Sequence, residues 1–248
     1  MNVTQSIDGE RLIAVFTAVV EQLGRALPRS YELVLHDLSK LPNSIVAISG
    51  EVTPRLVGGP ATDLLLKQAA TGKFESKLDY DTHAADGRKL RSSTMIIEDV
   101  SSRPVAALCI NADLSVWEEL QAVTQQLVLM NASPGLAEAA PAAPPPPSRG
   151  ERGQETFVRD VDELAAILID EAIRGIGVPA ELMQKQHKVE VVRDLKARGL
   201  FLLKDAVQLI ATELSVTRFT IYNYLNQIAE EEEPAGQDPA PSEGTSHE

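Results

Sequence analysis

The chain of 248 residues has a single cysteine, Cys109, set in an apolar run. One thiol closes no disulfide within a chain and builds no cysteine zinc site, so a buried structural role is expected. Four histidines, His36, His83, His187 and His247, show no metal-ligand spacing, and no metal or other cofactor is expected. No run of about 18 apolar residues occurs, which argues against a membrane span. The first residues, MNVTQSIDGERL, have neither a basic segment nor an apolar signal core, so a cytoplasmic protein is expected. Phosphate loops, dinucleotide fingerprints and nucleophile elbows are absent as motifs. Gly58-Gly59-Pro60 reads as turn geometry ahead of a capped helix. No catalytic residue is assigned and an enzyme is not expected.

Basic charge is also short: 23 Lys and Arg against 36 Asp and Glu, a net of −13. Its distribution matters more than its total. From Lys185 to Ala229 seven basic residues face four acidic ones, a local +3 that leaves −16 for the remainder. Screening cuts interactions beyond about 8–10 Å, so phosphate contact depends on the local sign. A single copy with +3 binds weakly, and a homodimer or higher homo-oligomer is expected.

Proline and glycine are missing from Leu202 to Ile228, which leaves two helices uninterrupted. Leu203, Ala206, Val207, Ile210, Ala211 and Leu214 form one helical stripe. Leu214, Ser215 and Val216 make a turn in which Ser215 stands where a positive φ is usual, at about 1 kcal/mol. Ala211 is small where the helices approach. Thr217 is placed to cap the second helix, which buries Ile221, Leu225 and Ile228. This is a helix-turn-helix whose second helix offers Thr217, Arg218, Thr220, Tyr222 and Asn223 to double-stranded DNA, with Lys204 nearby. A last helix that docks only protein, in a metabolite-sensing adaptor without DNA binding, is the alternative.

The first half reads as a helix from Gly9 to Leu27 and strands at Tyr31–Leu38 and Ser44–Ser49. A loop and a short helix, closed by Gly72, follow. Strands then run near Leu78–Ala84, Leu90–Glu98 and Val105–Asn111, with Asp86-Gly87 as a hairpin turn. A helix from Leu114 to Met130, capped by Asp113 or Ser115, ends the unit. Five antiparallel strands with helices suit a PAS-like sensor of residues 1–130, and with the helical part the class is α+β. Residues 131–156 form a Pro/Ala-rich linker. Residues 157–229 form an all-α helix-turn-helix domain, with helices at Phe157–Gly175 and from Pro179 to about Arg198. Residues 230–248 are acidic and expected to be disordered.

Ser92 and Thr94 alternate onto one strand face and Ser93 onto the other. With His36, Arg91 and Asn111, Ser92 and Thr94 are the candidates for a small-molecule pocket. His36 and Asp37, as strand neighbours, point to opposite faces and do not form a joint metal grip.

Several stretches taken together resemble the YheO-like bacterial transcriptional regulators, a family that includes DauR-type proteins. They are LVLHDL (33–38), SIVAISGEVTPRLVGGPATDLLL (44–66), DGRKLRSSTMIIED (86–99), LCINAD (108–113), KVEVVRDLKARGLFLLKDAV (188–207) and LSVTRFTIYNYL (214–225). The resemblance implies a PAS-like sensor joined to a C-terminal helix-turn-helix that binds DNA in a sequence-specific way. It does not fix the effector.

Overall fold

The computed structural model of the protein describes residues 7–84, 86–131, 155 and 157–232. Nearly all of the expected linker and most of the expected acidic tail lie outside these residues. Helix α1 (Ile7–Ala26) lays Leu12, Ile13, Phe16 and Val20 against a sheet. The sheet has strands β1 (Tyr31–Asp37), β2 (Ile45–Ser49), β3 (Lys77–His83), β4 (Lys89–Glu98) and β5 (Pro104–Asp113). Their order is β2-β1-β5-β4-β3, with all neighbours antiparallel. Gly87 takes φ +86° in the turn between β3 and β4, as Asp-Gly implies. Helix α2 (Asp63–Thr71) stops at Gly72 in the left-handed conformation. Helix α3 (Ser115–Asn131) opens on Asp113, whose carboxylate accepts from the Ser115 N–H at 2.9 Å.

Alternation gives the sheet two unlike faces. Leu33 and Leu35 of β1, with Ala106 and Leu108 of β5, form the apolar layer under α1. The opposite face carries buried polar groups: Glu32, His36, Ser92, Thr94 and Asn111. Register aligns them across three strands, with Glu32 opposite Asn111 and Asn111 opposite Ser92.

The helical half comprises α4 (Val161–Ile176), α5 (Lys185–Ala197), α6 (Ala206–Glu213) and α7 (Arg218–Glu232). Three starts differ from expectation. α4 begins at Val161 rather than Phe157, because the Asp160 carboxylate accepts from the Glu163 N–H at 2.8 Å and fixes the N-terminus there. The helix expected from Pro179 is a 3-10 turn at Ala180–Leu182 followed by α5. Met183 between them is extended and buried in the helical core. α6 begins at Ala206 because Asp205 has φ +62°; Leu203 precedes the helix yet remains buried. In α7 the buried stripe is Ile221, Tyr224 and Ile228, and Leu225 is half-buried.

The core of the helical half, including Leu168, Leu195, Ile210, Leu214 and Ile221, is continuous with Leu65 and Leu66 of α2. Each such fully buried leucine contributes about 1.5–3 kcal/mol. Gly199 ends α5 with φ +80°, and a Cβ there would lie 2.4 Å from the backbone oxygen of Leu66. Only glycine allows both the left-handed conformation and this approach of the two halves.

Candidate ligand and nucleic-acid sites

The polar face of the sheet carries two branches of hydrogen bonds, the first centred on Glu32. Glu32 is fully buried and accepts four hydrogen bonds. They come from Thr53 N–H at 2.8 Å, Thr53 Oγ1 at 2.7 Å, Arg55 Nη2 at 3.0 Å and Asn111 Nδ2 at 3.1 Å. Ser92 Oγ donates to Asn111 Oδ1 at 2.9 Å and lies 2.7 Å from Thr82 Oγ1. Thr53 and Arg55 come from the segment after β2, whose entry depends on Gly50. Gly50 has φ +111°, and a Cβ would meet the Tyr31 carbonyl oxygen at 2.4 Å.

A second branch runs through Tyr80. Its hydroxyl donates to Glu155 Oε2 at 2.6 Å and lies 2.8 Å from Thr94 Oγ1. Thr94 Oγ1 is in turn 3.4 Å from Cys109 Sγ. Burial and then the Glu155 carboxylate hold the Tyr80 phenol well above its usual pKa. Burial, reinforced by Glu155, pushes the Cys109 thiol up to about 12, which keeps it protonated and unreactive.

Of the five candidates for a pocket, four share this face. Ser92, Thr94 and Asn111 belong to the two branches just described. His36 is fully buried with Nδ1 2.8 Å from Ser44 Oγ, and its Nε2 has no partner. Burial, with Arg55 second, lowers its pKa to about 3, so the ring is neutral. Arg91 does not join them. It projects from the other face of β4 into ion pairs with Asp79 at 2.6 Å and Asp81 at 2.7 Å. One residue of displacement along a strand reverses the side, which separates Arg91 from Ser92. Glu32, Thr53, Arg55, Tyr80 and Glu155 complete the site and were not among the candidates. Glu32 carried a sequence signal, a carboxylate inside the apolar strand YELVLHD. Among the described residues no group of three or more His, Cys, Asp or Glu is arranged to hold a metal ion.

The helix-turn-helix lies at the other end of the chain. Ser215 takes φ +51°, the left-handed turn conformation that its position requires. Val216 N–H donates to Ala211 O at 2.9 Å across the turn. Thr217 Oγ1 accepts from the Thr220 N–H at 3.2 Å and lies 2.9 Å from Thr220 Oγ1, capping α7. Thr217, Arg218, Tyr222, Asn223 and Lys204 are all exposed, and Thr220 is half-buried. Phe219 nearby is 72% exposed; its spacing sets it off the buried stripe, and it was not among the candidates.

Most basic residues of α5 and its C-cap are otherwise engaged, Lys185 at its exposed start excepted. Arg193 pairs with Glu190 and Glu231, Lys196 with Glu232, and Arg198 with Glu171 and Asp194. Lys188 Nζ donates to the Leu214 carbonyl at 2.7 Å, where the helix dipole favours a cation. Four of the seven cations are thus engaged, and Lys185, Lys204 and Arg218 are left exposed, the last two beside the turn. No described helix is long and apolar enough to cross a membrane.

Comparison with known proteins agrees with this division. A YheO-like PAS domain matches residues 7–129 and an HTH domain matches residues 164–226. Both are domain types of regulatory proteins. An uncharacterized protein of Haemophilus influenzae is 28% identical over 228 residues, 91% of this chain and 95% of that protein. The uncharacterized protein YheO of Escherichia coli is 27% identical, over 88% of this chain and 85% of its own length. The transcriptional regulator DauR of Pseudomonas aeruginosa is 27% identical, over 80% and 86%. With a YheO-like PAS domain over residues 7–129 and an HTH domain over residues 164–226, the chain is a YheO-like PAS and helix-turn-helix protein.

Proposed function

We propose that the protein is a sequence-specific DNA-binding transcriptional regulator, not an enzyme, and that its PAS-like domain senses a small metabolite and so modulates operator binding. The observation that carries this is the exposed, capped start of α7. Arg218, Tyr222 and Asn223 stand clear of the core there, around a helix end suited to a major groove. The relative named as a transcriptional regulator supports the same reading. Asn223 suits adenine, Arg218 suits a phosphate or guanine, and Phe219 suits a thymine methyl.

Electrophoretic shift on the DNA upstream of the protein's own operon tests it. Asn223→Ala costs about 1–3 kcal/mol on the operator and little on unrelated DNA. Arg218→Ala lowers affinity and, if it touches phosphate, reduces the salt slope by about one. Unchanged binding by both variants removes α7 from the groove, and absence of DNA binding by the native chain leaves a protein-only adaptor.

The few free cations make a dimer necessary, with two α7 helices about 34 Å apart. Helix α3 supports this assembly. Val116, Leu120, Val123 and Leu127 follow a 4-3-4 spacing and are all more than half exposed, beside Trp117 at 66%. Such a seam suits a coiled-coil partner of the same kind. Leu120→Glu with Val123→Glu is expected to turn a dimer into a monomer in light scattering and to weaken DNA binding by about tenfold or more. A native chain that is already monomeric at micromolar concentration disproves the seam.

A further inference from the structure

The polar face of the sensor sheet is filled by residues that belong to none of its strands. Phe157 is buried in a cluster with Val52, Ala84 and Leu90, and the Arg55 guanidinium carbon lies 4.7 Å from its ring centroid. Glu155 is also buried, bonded to Tyr80 from 75 residues away in the chain. The next buried residue, Val158, belongs to the core of the helical half. A short piece of chain thus seats one aromatic and one carboxyl group in the sensor and is anchored at once to the other domain.

The fit is incomplete. Glu32 uses both carboxylate oxygens in four hydrogen bonds, whereas Glu155 Oε1 is buried with no partner. Arg55 Nη1 is buried with no partner as well. A buried polar atom without a hydrogen bond keeps its desolvation cost uncompensated. One such atom belongs to the seated Glu155 and the other to the Arg55 that lies over Phe157, which marks an occupant that a better-matched molecule displaces.

We propose that this face is a ligand site occupied by the protein's own Glu155 and Phe157, and that its effector is a small carboxylate bearing an aromatic or bulky apolar group. The ligand carboxylate replaces Glu155 at the Tyr80 hydroxyl, and the apolar group replaces Phe157 beneath Arg55. Displacement frees the chain that holds Val158 and the start of α4, so the ligand binds the released state better, which is the condition for any shift between states. The inference rests on the reading above that this domain senses a small molecule.

The test uses the full chain, no DNA, and 3-phenylpropionate as probe, with 3-phenylpropanol as the analogue lacking the carboxylate. Occupancy by the chain itself lowers apparent affinity by the fraction of molecules left open, so Glu155→Ala with Phe157→Ala is expected to bind the probe about tenfold tighter in calorimetry. Adding Tyr80→Phe reverses about tenfold of that affinity, and 3-phenylpropanol binds more weakly than the acid by a similar factor. Equal affinity of the native chain and the double variant overturns the proposal, as does equal binding of acid and alcohol. If the double variant does not fold, tryptic cleavage after Arg159 in the native chain decides. The acid, and not the alcohol, must accelerate it, and unchanged cleavage overturns the proposal. Since no DNA is present, failure here leaves the DNA-binding reading intact, and failure of the shift assay leaves this one intact.

Discussion

Replacing Glu32 by alanine lowers the stability of the PAS domain by about 3–5 kcal/mol, the cost of breaking a buried ion pair by removing one partner. Glu32 and Arg55 are both almost completely shielded, with side chains 0% and 1% exposed. Without the carboxylate, the Arg55 charge remains buried against Thr53 and the Phe157 ring. Thr53 N–H and Asn111 Nδ2 also lose their acceptor. The damage is therefore larger than one lost contact. Glu32→Gln retains an acceptor and is expected to lose less. Urea unfolding followed by far-UV circular dichroism measures both, and an alanine variant with the native midpoint would refute the role given to this pair.

Acid is expected to destabilise the protein well before its carboxylates titrate. His36 has a pKa near 6.5 when unfolded and about 3 when folded, lowered by burial and then by Arg55. The folded state therefore binds fewer protons between these values, and stability falls as pH drops below about 6.5. The slope approaches 1.4 kcal/mol per pH unit, so roughly 2–3 kcal/mol is gone near pH 4.5. The carboxylates of Asp79, Asp86 and Asp113 have lowered pKa values and act with the same sign, but only at lower pH. His36→Asn keeps a polar group for Ser44 and removes the titration. Its stability is expected to be nearly flat from pH 6.5 to 4.5, and native and variant curves that fall in parallel would assign the acid sensitivity elsewhere.

Local chemistry made much of the fold legible. The Asp-Gly hairpin, the left-handed Ser215 and the Thr217 cap are interactions within four residues, and the sequence displays them directly. Period-two alternation likewise placed Ser92 and Thr94 together and Ser93 apart. The misplaced helix starts are local too: the Asp160 carboxylate caps α4, and the left-handed Asp205 immediately precedes α6. Arg91 shows a different limit: its charge suggested a ligand, and the acids that claim it, Asp79 and Asp81, are cross-strand neighbours fixed by register.

The sequence by itself determined the two-part architecture, the face of each strand and the exposed, capped start of α7, because each follows from backbone periodicity and caps. Tertiary structure alone decided that Glu32 answers Arg55, that Arg193 and Lys196 of α5 pair with Glu231 and Glu232, and that Glu155 reaches Tyr80. These pairs are separated by 23 to 75 residues. Charges and buried polar atoms choose partners by distance through space, and that distance is set only when the whole chain has packed.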